Sequence, residues 1–182
     1  MTKIHKKVII KSQGDVDSYF GKLRASAENA RGLIRELAAG SNPLTFLYQV
    51  RFDPVGCDPM DTTRKLNLIE QLNQTFTYAA SLKAASYLLK QRPAFTALTL
   101  NLGTTSGWDI ESIENGGLVA EIFAAVNPQN NDKLNKDVKK VATAEVQHRY
   151  VFFMCPGVGA GPYKEVSVPA GINVISLGCE LW

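Results

Sequence analysis

Several things are scarce in this 182-residue chain, and each scarcity excludes something. No run of apolar residues approaches the roughly 18 needed to cross a bilayer, so no membrane partner is expected. The basic start, Met-Thr-Lys-Ile-His-Lys-Lys, is followed only by Val8-Ile9-Ile10 before Lys11, too short for the apolar core of a secretory leader. Cysteine is limited to Cys57, Cys155 and Cys179. An odd, widely spaced set with no C-x-x-C pair fits neither a disulfide framework nor a thiolate zinc site, and the expected home is a reducing cytoplasm. Histidine is limited to His5 and His148, which adjoin no Ser or Cys pattern, so a nucleophilic triad has no support. A strong charge excess is also missing: 20 basic against 17 acidic residues leave a formal net charge of +3. That balance permits a nucleic-acid partner without demanding one.

What remains is the composition of a globular protein, with 45% hydrophobic and 20% charged residues. The length allows one domain with a proper core. Along the chain, Val8–Ile10 reads as a short strand and 16–39 as a helix that Asp15 or Asp17 caps and Gly40 ends. The β-forming run Leu44–Phe52 reads as a strand, and the proline-broken stretch Asp53–Met60 as a loop. Asp61, Thr62 or Thr63 is placed to cap a long helix that Arg92-Pro93 terminates after Gln91. Strands are then expected over 95–102, 108–113 and 118–126, with a small-residue loop at 103–107 and the turn Glu114-Asn-Gly-Gly117 between the second and third. A helix over 132–146, capped by Asn131 or Asp132, leads to a buried strand over 149–155. Two short strands follow, near 164–168 and 173–177.

The turn decides which residues of the middle hairpin face each other. Centred on Asn115 with a glycine-supported bulge, it sets Asp109 directly across from Glu121 on one face, with Cβ atoms roughly 5 Å apart. Centred between Asn115 and Gly116, it sends the two acids to opposite faces. Carboxylates held that close repel, which favours either a raised pKa on one of them or a bound divalent cation. One or two carboxylates completed by water and phosphate oxygens are what Mg²⁺ prefers. The bland alternative is a solvated pair of acids on an exposed hairpin. Glu70 stands on the polar stripe of the long helix, facing either the same site or water. In the helix after the hairpin, Leu134, Val138 and Val141 form the packing face, and Lys133, Lys136 and Lys140 form a stripe beside it. Such lysines either stabilise a phosphate or form a solvated face.

The order α-β-β-β-α-β from Arg64 to Cys155, with an aspartate on one strand and an acid on the next, resembles the core of the PD-(D/E)XK nuclease superfamily. The resemblance covers about half the chain and implies an α/β, restriction-endonuclease-like, three-layer fold in which helices flank a mixed sheet. It implies a single domain over 1–182: an N-terminal helix and strand elaboration over 1–63, the nuclease-like core over 64–155 and a C-terminal β extension over 156–182. It further implies a Mg²⁺-dependent nuclease hydrolysing phosphodiester bonds, with Asp109 and Glu121 as metal ligands and Glu70 contributing. Two positions depart from the pattern. Trp108 rather than proline precedes Asp109, and Glu121-Ile122-Phe123 places phenylalanine where the lysine should stand. Some members of the superfamily carry that lysine on the following helix, which gives the role to Lys133 or Lys136. The alternative is a catalytically inactive domain of the same fold that binds nucleic acid or protein, self-association included. A small-molecule enzyme of another α/β fold has only the loop Gly157-Val-Gly-Ala-Gly161 to recommend it, and Pro162 follows where a phosphate-binding helix should begin. Trp108 and Trp182 serve either the core or an interface.

Overall fold

The computed structural model describes residues 7–40, 42–102 and 106–180. The expectations placed on His5, Trp182 and residues 103–105 lie outside them. In chain order the elements are β1 (Lys7–Ile10), α1 (Gln13–Gly40), α2 (Pro43–Phe52), β2 (Gly56–Asp58), β3 (Asp61–Leu66), α3 (Leu68–Gln91), β4 (Leu98–Asn101), β5 (Ile110–Ser112), β6 (Leu118–Ala124), α4 (Lys133–Ala142), β7 (His148–Met154), β8 (Gly161–Pro162) and β9 (Ile172–Ser176). A 3-10 turn over Asn130–Asp132 leads into α4. No described helix is long and apolar enough to cross a membrane.

The chain groups into two compact units, one of 1–16 with 80–182 and one of Asp17–Ala79. The larger unit is a seven-stranded sheet in the order β1-β4-β5-β6-β7-β9-β8. Strands β1, β4, β5 and β6 run antiparallel to their neighbours, β6, β7 and β9 run parallel, and β8 returns antiparallel on β9. The sheet is therefore mixed, and α4 makes the crossover between its parallel neighbours β6 and β7. On one face Leu134, Val138 and Val141 of α4 pack against Val119, Phe123, Val151, Phe153 and Val174. Tyr87 of α3 meets Phe152 edge-on at 5.5 Å on the opposite face. The sheet thus has helix on both sides, and the expected element order α-β-β-β-α-β is present as α3-β4-β5-β6-α4-β7.

The smaller unit holds most of α1, α2, the β2–β3 hairpin and the first half of α3. Here the structure corrects three expectations. The run Leu44–Phe52 is helical, because Asn42 caps it by accepting the Thr45 N–H at 3.0 Å and Pro43 sits in its first turn, where a missing N–H costs nothing. The segment from Gly56 to Leu66 forms a hairpin, so Asp61 belongs to a strand and Asn67 caps α3, accepting the Glu70 N–H at 2.8 Å. Asp58 is fully buried there and accepts from Arg64 Nη1 at 2.9 Å and from the Tyr78 hydroxyl at 3.2 Å. That environment, burial first and then the Asp58 charge, lifts the Tyr78 phenol well above its ordinary value.

Smaller differences fall at element ends. Asp15 does not itself start α1; it completes a capping box with Ser12, each side chain bonding the other's backbone N–H. Asp132 stands at the start of α4 with φ 56° and caps no backbone N–H; its carboxylate accepts from Asn135 instead. The strand expected at 164–168 is absent, and the partner of β9 on that side is the two-residue β8.

Candidate active site

The β5–β6 hairpin fixes the first two residues of the site. Its register pairs Ile110 with Ala120, Glu111 with Val119 and Ser112 with Leu118, which centres the connection on Asn115. One more step along the same register sets Asp109 opposite Glu121. Asn115 and Gly116 both have positive φ, and Gly117 donates its N–H to the Glu114 carbonyl at 2.9 Å, giving the tight turn that the sequence suggests. The tip is held down as well: Glu114 accepts from the backbone and hydroxyl of Thr96, and these bonds hold its carboxyl below the ordinary range. The Asp109 end is anchored by the Asn101 N–H, which donates to the Asp109 carbonyl at 2.9 Å.

Side-chain alternation then places Glu121 between Val119 and Phe123, on the face that α4 covers. Its side chain is only 4% exposed. Burial, reinforced by the negative charge of Asp109 and opposed by Lys140, pushes the Glu121 carboxyl up to about 7. Asp109 accepts the Ile122 N–H at 2.7 Å through Oδ2. Its carboxyl is raised too, by burial, while the Ile122 hydrogen bond and then Lys140 and Lys133 pull the other way.

Lys140 comes down from the last turn of α4. Its Nζ donates to Glu121 Oε1 and to the Gly107 carbonyl, each at 2.7 Å, and lies 5.3 Å from the centre of the Trp108 ring. One ammonium thus ties the carboxylate of β6 to the backbone two residues before Asp109. Lys133, one of the two lysines expected in this role, instead pairs with Asp137 Oδ1 at 2.5 Å. Asp137 is itself buried, its Oδ2 has no hydrogen-bond partner among the described residues, and burial raises its carboxyl above the ordinary value. Lys136, the other expected lysine, donates to the Asn131 carbonyl at 2.9 Å and takes no described part in the cluster. The reason is helical geometry: at about 100° per residue, Lys136 lies about 40° further from the buried face than Lys140 does.

The structure therefore gathers Asp109, Glu121, Lys133, Lys140 and Asp137, and leaves Lys136 aside. Glu70 lies in the first turn of α3 within the Asp17–Ala79 unit, with an exposed side chain. Phe123, where the resemblance puts a lysine, is buried and stacks on Phe153 at 5.8 Å. Asp137 escaped the sequence reading, and Lys140 was named only as one of the lysine stripe. Asp137 had a usable signal, since it stands three residues after Leu134 and four before Val141, on the apolar face of its helix. Lys140 was visible in the lysine stripe, but only the docking of α4 on β6 singles it out.

For a divalent cation, the donor set is short. Among the described residues no group of three His, Cys, Asp or Glu side chains is placed to hold a metal ion. Two carboxylates set opposite each other on one face, both raised by burial, still fit a cation that keeps most of its ligands as water and substrate oxygens, as Mg²⁺ does. Chemically, the cluster offers a carboxyl that titrates near neutral pH, a second acid opposite it and an ammonium bridging to the loop, which suits proton transfer or anion stabilisation. Comparison with known proteins gives no match: no family model, no curated protein and no solved structure.

Proposed function

We propose that the chain is a divalent-cation-dependent nuclease with a restriction-endonuclease-like core, and that Lys140 takes the role of the lysine missing after Glu121. One observation carries the reading: Lys140 Nζ lies 2.7 Å from Glu121 Oε1, delivered from the helix that follows the acidic hairpin. The order and direction of α3-β4-β5-β6-α4-β7 support the core assignment. In this reading Asp109 and Glu121 hold Mg²⁺ through carboxylate oxygens. The ion, when bound, polarises the phosphodiester and acidifies a water.

The remaining roles belong to the chain itself. Lys140 offsets part of the burial penalty on the Glu121 charge and, on entry of substrate, presents positive charge to a phosphate oxygen or orients the attacking water. The Trp108 ring and the Gly107 carbonyl fix the position of that ammonium. Lys133, aligned by Asp137, adds a second positive charge within electrostatic reach of Asp109. The overall change adds water across a P–O ester bond, leaving a phosphomonoester end and a free hydroxyl.

The test is cleavage of single- and double-stranded DNA and RNA with and without Mg²⁺ or Mn²⁺. Asp109→Asn and Glu121→Gln are expected to lower the rate at saturating substrate by at least about 10²-fold and Lys140→Ala by a similar factor, with Lys136→Ala near wild type in that rate. Metal-dependent cutting that survives Asp109→Ala refutes the site. A second reading, a catalytically silent domain of the same fold that binds nucleic acid, draws on the burial of Phe123 and the short donor set. Salt-sensitive binding without cleavage or metal dependence would favour it.

A further inference from the structure

Helix α2 is an anomaly of the smaller unit. It is ten residues long and contains no buried residue, yet seven of its ten side chains are apolar or aromatic. Leu44, Leu47, Tyr48 and Phe52 are 79%, 57%, 58% and 63% exposed. An isolated helix of this length is marginal in water and relies on packing of its apolar face. The face continues onto α3, where Leu72 and Phe76 are also exposed and stand three and seven residues after Ile69, on one side of the helix. All of these residues belong to the Asp17–Ala79 unit.

The shape of the face matters as much as its chemistry. Leu44, Tyr48 and Phe52 recur every four residues and make a ridge along α2, with Tyr48 and Phe52 in ring contact at 5.2 Å. Beside it runs a groove of about 480 Å³, lined by Leu47, Tyr48, Val50, Arg51, Phe52 and Ile69, in which Arg51 is the one charged side chain. A surface that carries its own ridge and its own groove side by side is suited to a two-fold axis, because the ridge of each copy then enters the groove of the other. The area agrees. With ~150–250 Å² available from each fully exposed aromatic and somewhat less from each leucine, the six exposed side chains present on the order of 600 Å², against about 800 Å² per partner in a standard interface. A patch of that size stands at the upper end of what monomers leave in water, where such patches are often functional.

We infer that α2 and the adjoining face of α3 form a two-fold homodimer interface, so that a second copy of this chain supplies the burial that α2 lacks. The inference is independent of the nuclease reading, since it uses no residue of the Asp109–Glu121 cluster. The experiment is sedimentation velocity on the full chain from about 1 to about 100 μM, the range over which interfaces of modest affinity dissociate. The expected result is a monomer–dimer equilibrium little changed between low and high salt. Leu47→Glu and Tyr48→Glu, both at exposed positions, should each weaken dimerisation by at least tenfold while circular dichroism, and the melting temperature at a concentration where both chains are monomeric, stay close to wild type. A chain that is monomeric throughout this range overturns the inference, as does a dimer indifferent to both substitutions. Binding to lipid vesicles by a chain that remains monomeric also overturns it, and assigns the face to a membrane surface.

Discussion

Glu121 is pulled two ways: burial between Val119 and Phe123 penalises its charge, and Lys140 rewards it. Burial prevails, since the carboxyl rises to about 7 from an ordinary value of 4.5. The consequence for stability has a definite sign. Between those two values the folded chain binds more protons at this position than the unfolded chain, so its contribution is fully present below pH 4.5 and is lost as pH rises through 7. The shift corresponds to an upper limit on the order of 3 kcal/mol. Glu121→Gln keeps the shape and an acceptor for Lys140 but removes the titration. In metal-free buffer this variant should therefore be more stable than wild type at pH 8, with the advantage shrinking toward pH 5. Urea denaturation across that range measures it. A variant no more stable than wild type at pH 8 would mean that Glu121 is not strained. Stability gained while cleavage is lost is the pattern expected of a residue kept for chemistry rather than folding.

Elements determine whether that residue meets its partners, and the β5–β6 turn is where the register is set. Gly117 has φ +83°, and a Cβ there would stand 2.8 Å from Val146 Cγ1. Gly117→Ala combines a left-handed backbone with that clash, and should cost about 1–3 kcal/mol, read as a lower denaturation midpoint. Because the same turn sets Asp109 opposite Glu121, a register slip of one residue would separate the acids, and the rate of any reaction at the site should fall with it. The hairpin itself was legible because Asn-Gly-Gly is local chemistry, but its register stayed open between two turn centres until β5 and β6 paired about Asn115. Leu44–Phe52 was misread for the complementary reason: its β-forming residues express a preference, whereas Asn42 and Pro43 fix a helix start, and the cap wins. Asn67, not Asp61, starts α3 for a similar reason, because Gly56–Leu66 is held as a hairpin whose partners are not adjacent in sequence. The choice of Lys140 over Lys133 or Lys136 depends on how α4 docks on β6, and no spacing within the helix reveals that.

At the scale of the whole molecule, the charge balance limits how a nucleic acid would be held. A formal net charge of +3 leaves little general attraction for a polyanion. Four lysines cluster on α4, but Lys133 and Lys140 are already engaged by Asp137 and Glu121, which leaves Lys136 and Lys139 outside the acid pairs of that helix. If the nuclease reading holds, the affinity without metal should be low and only moderately salt-dependent, because few phosphates are neutralised. With about three contacts, log K against log salt should have a slope of about −2 to −3. Lys136→Ala and Lys139→Ala should each make that slope shallower by about one without altering sequence preference, since a lysine on a phosphate reads no base. Fluorescence anisotropy with a labelled oligonucleotide from 50 to 300 mM salt measures both effects. A slope steeper than about −6 would require a basic surface other than α4 and would move the binding face away from the acidic hairpin.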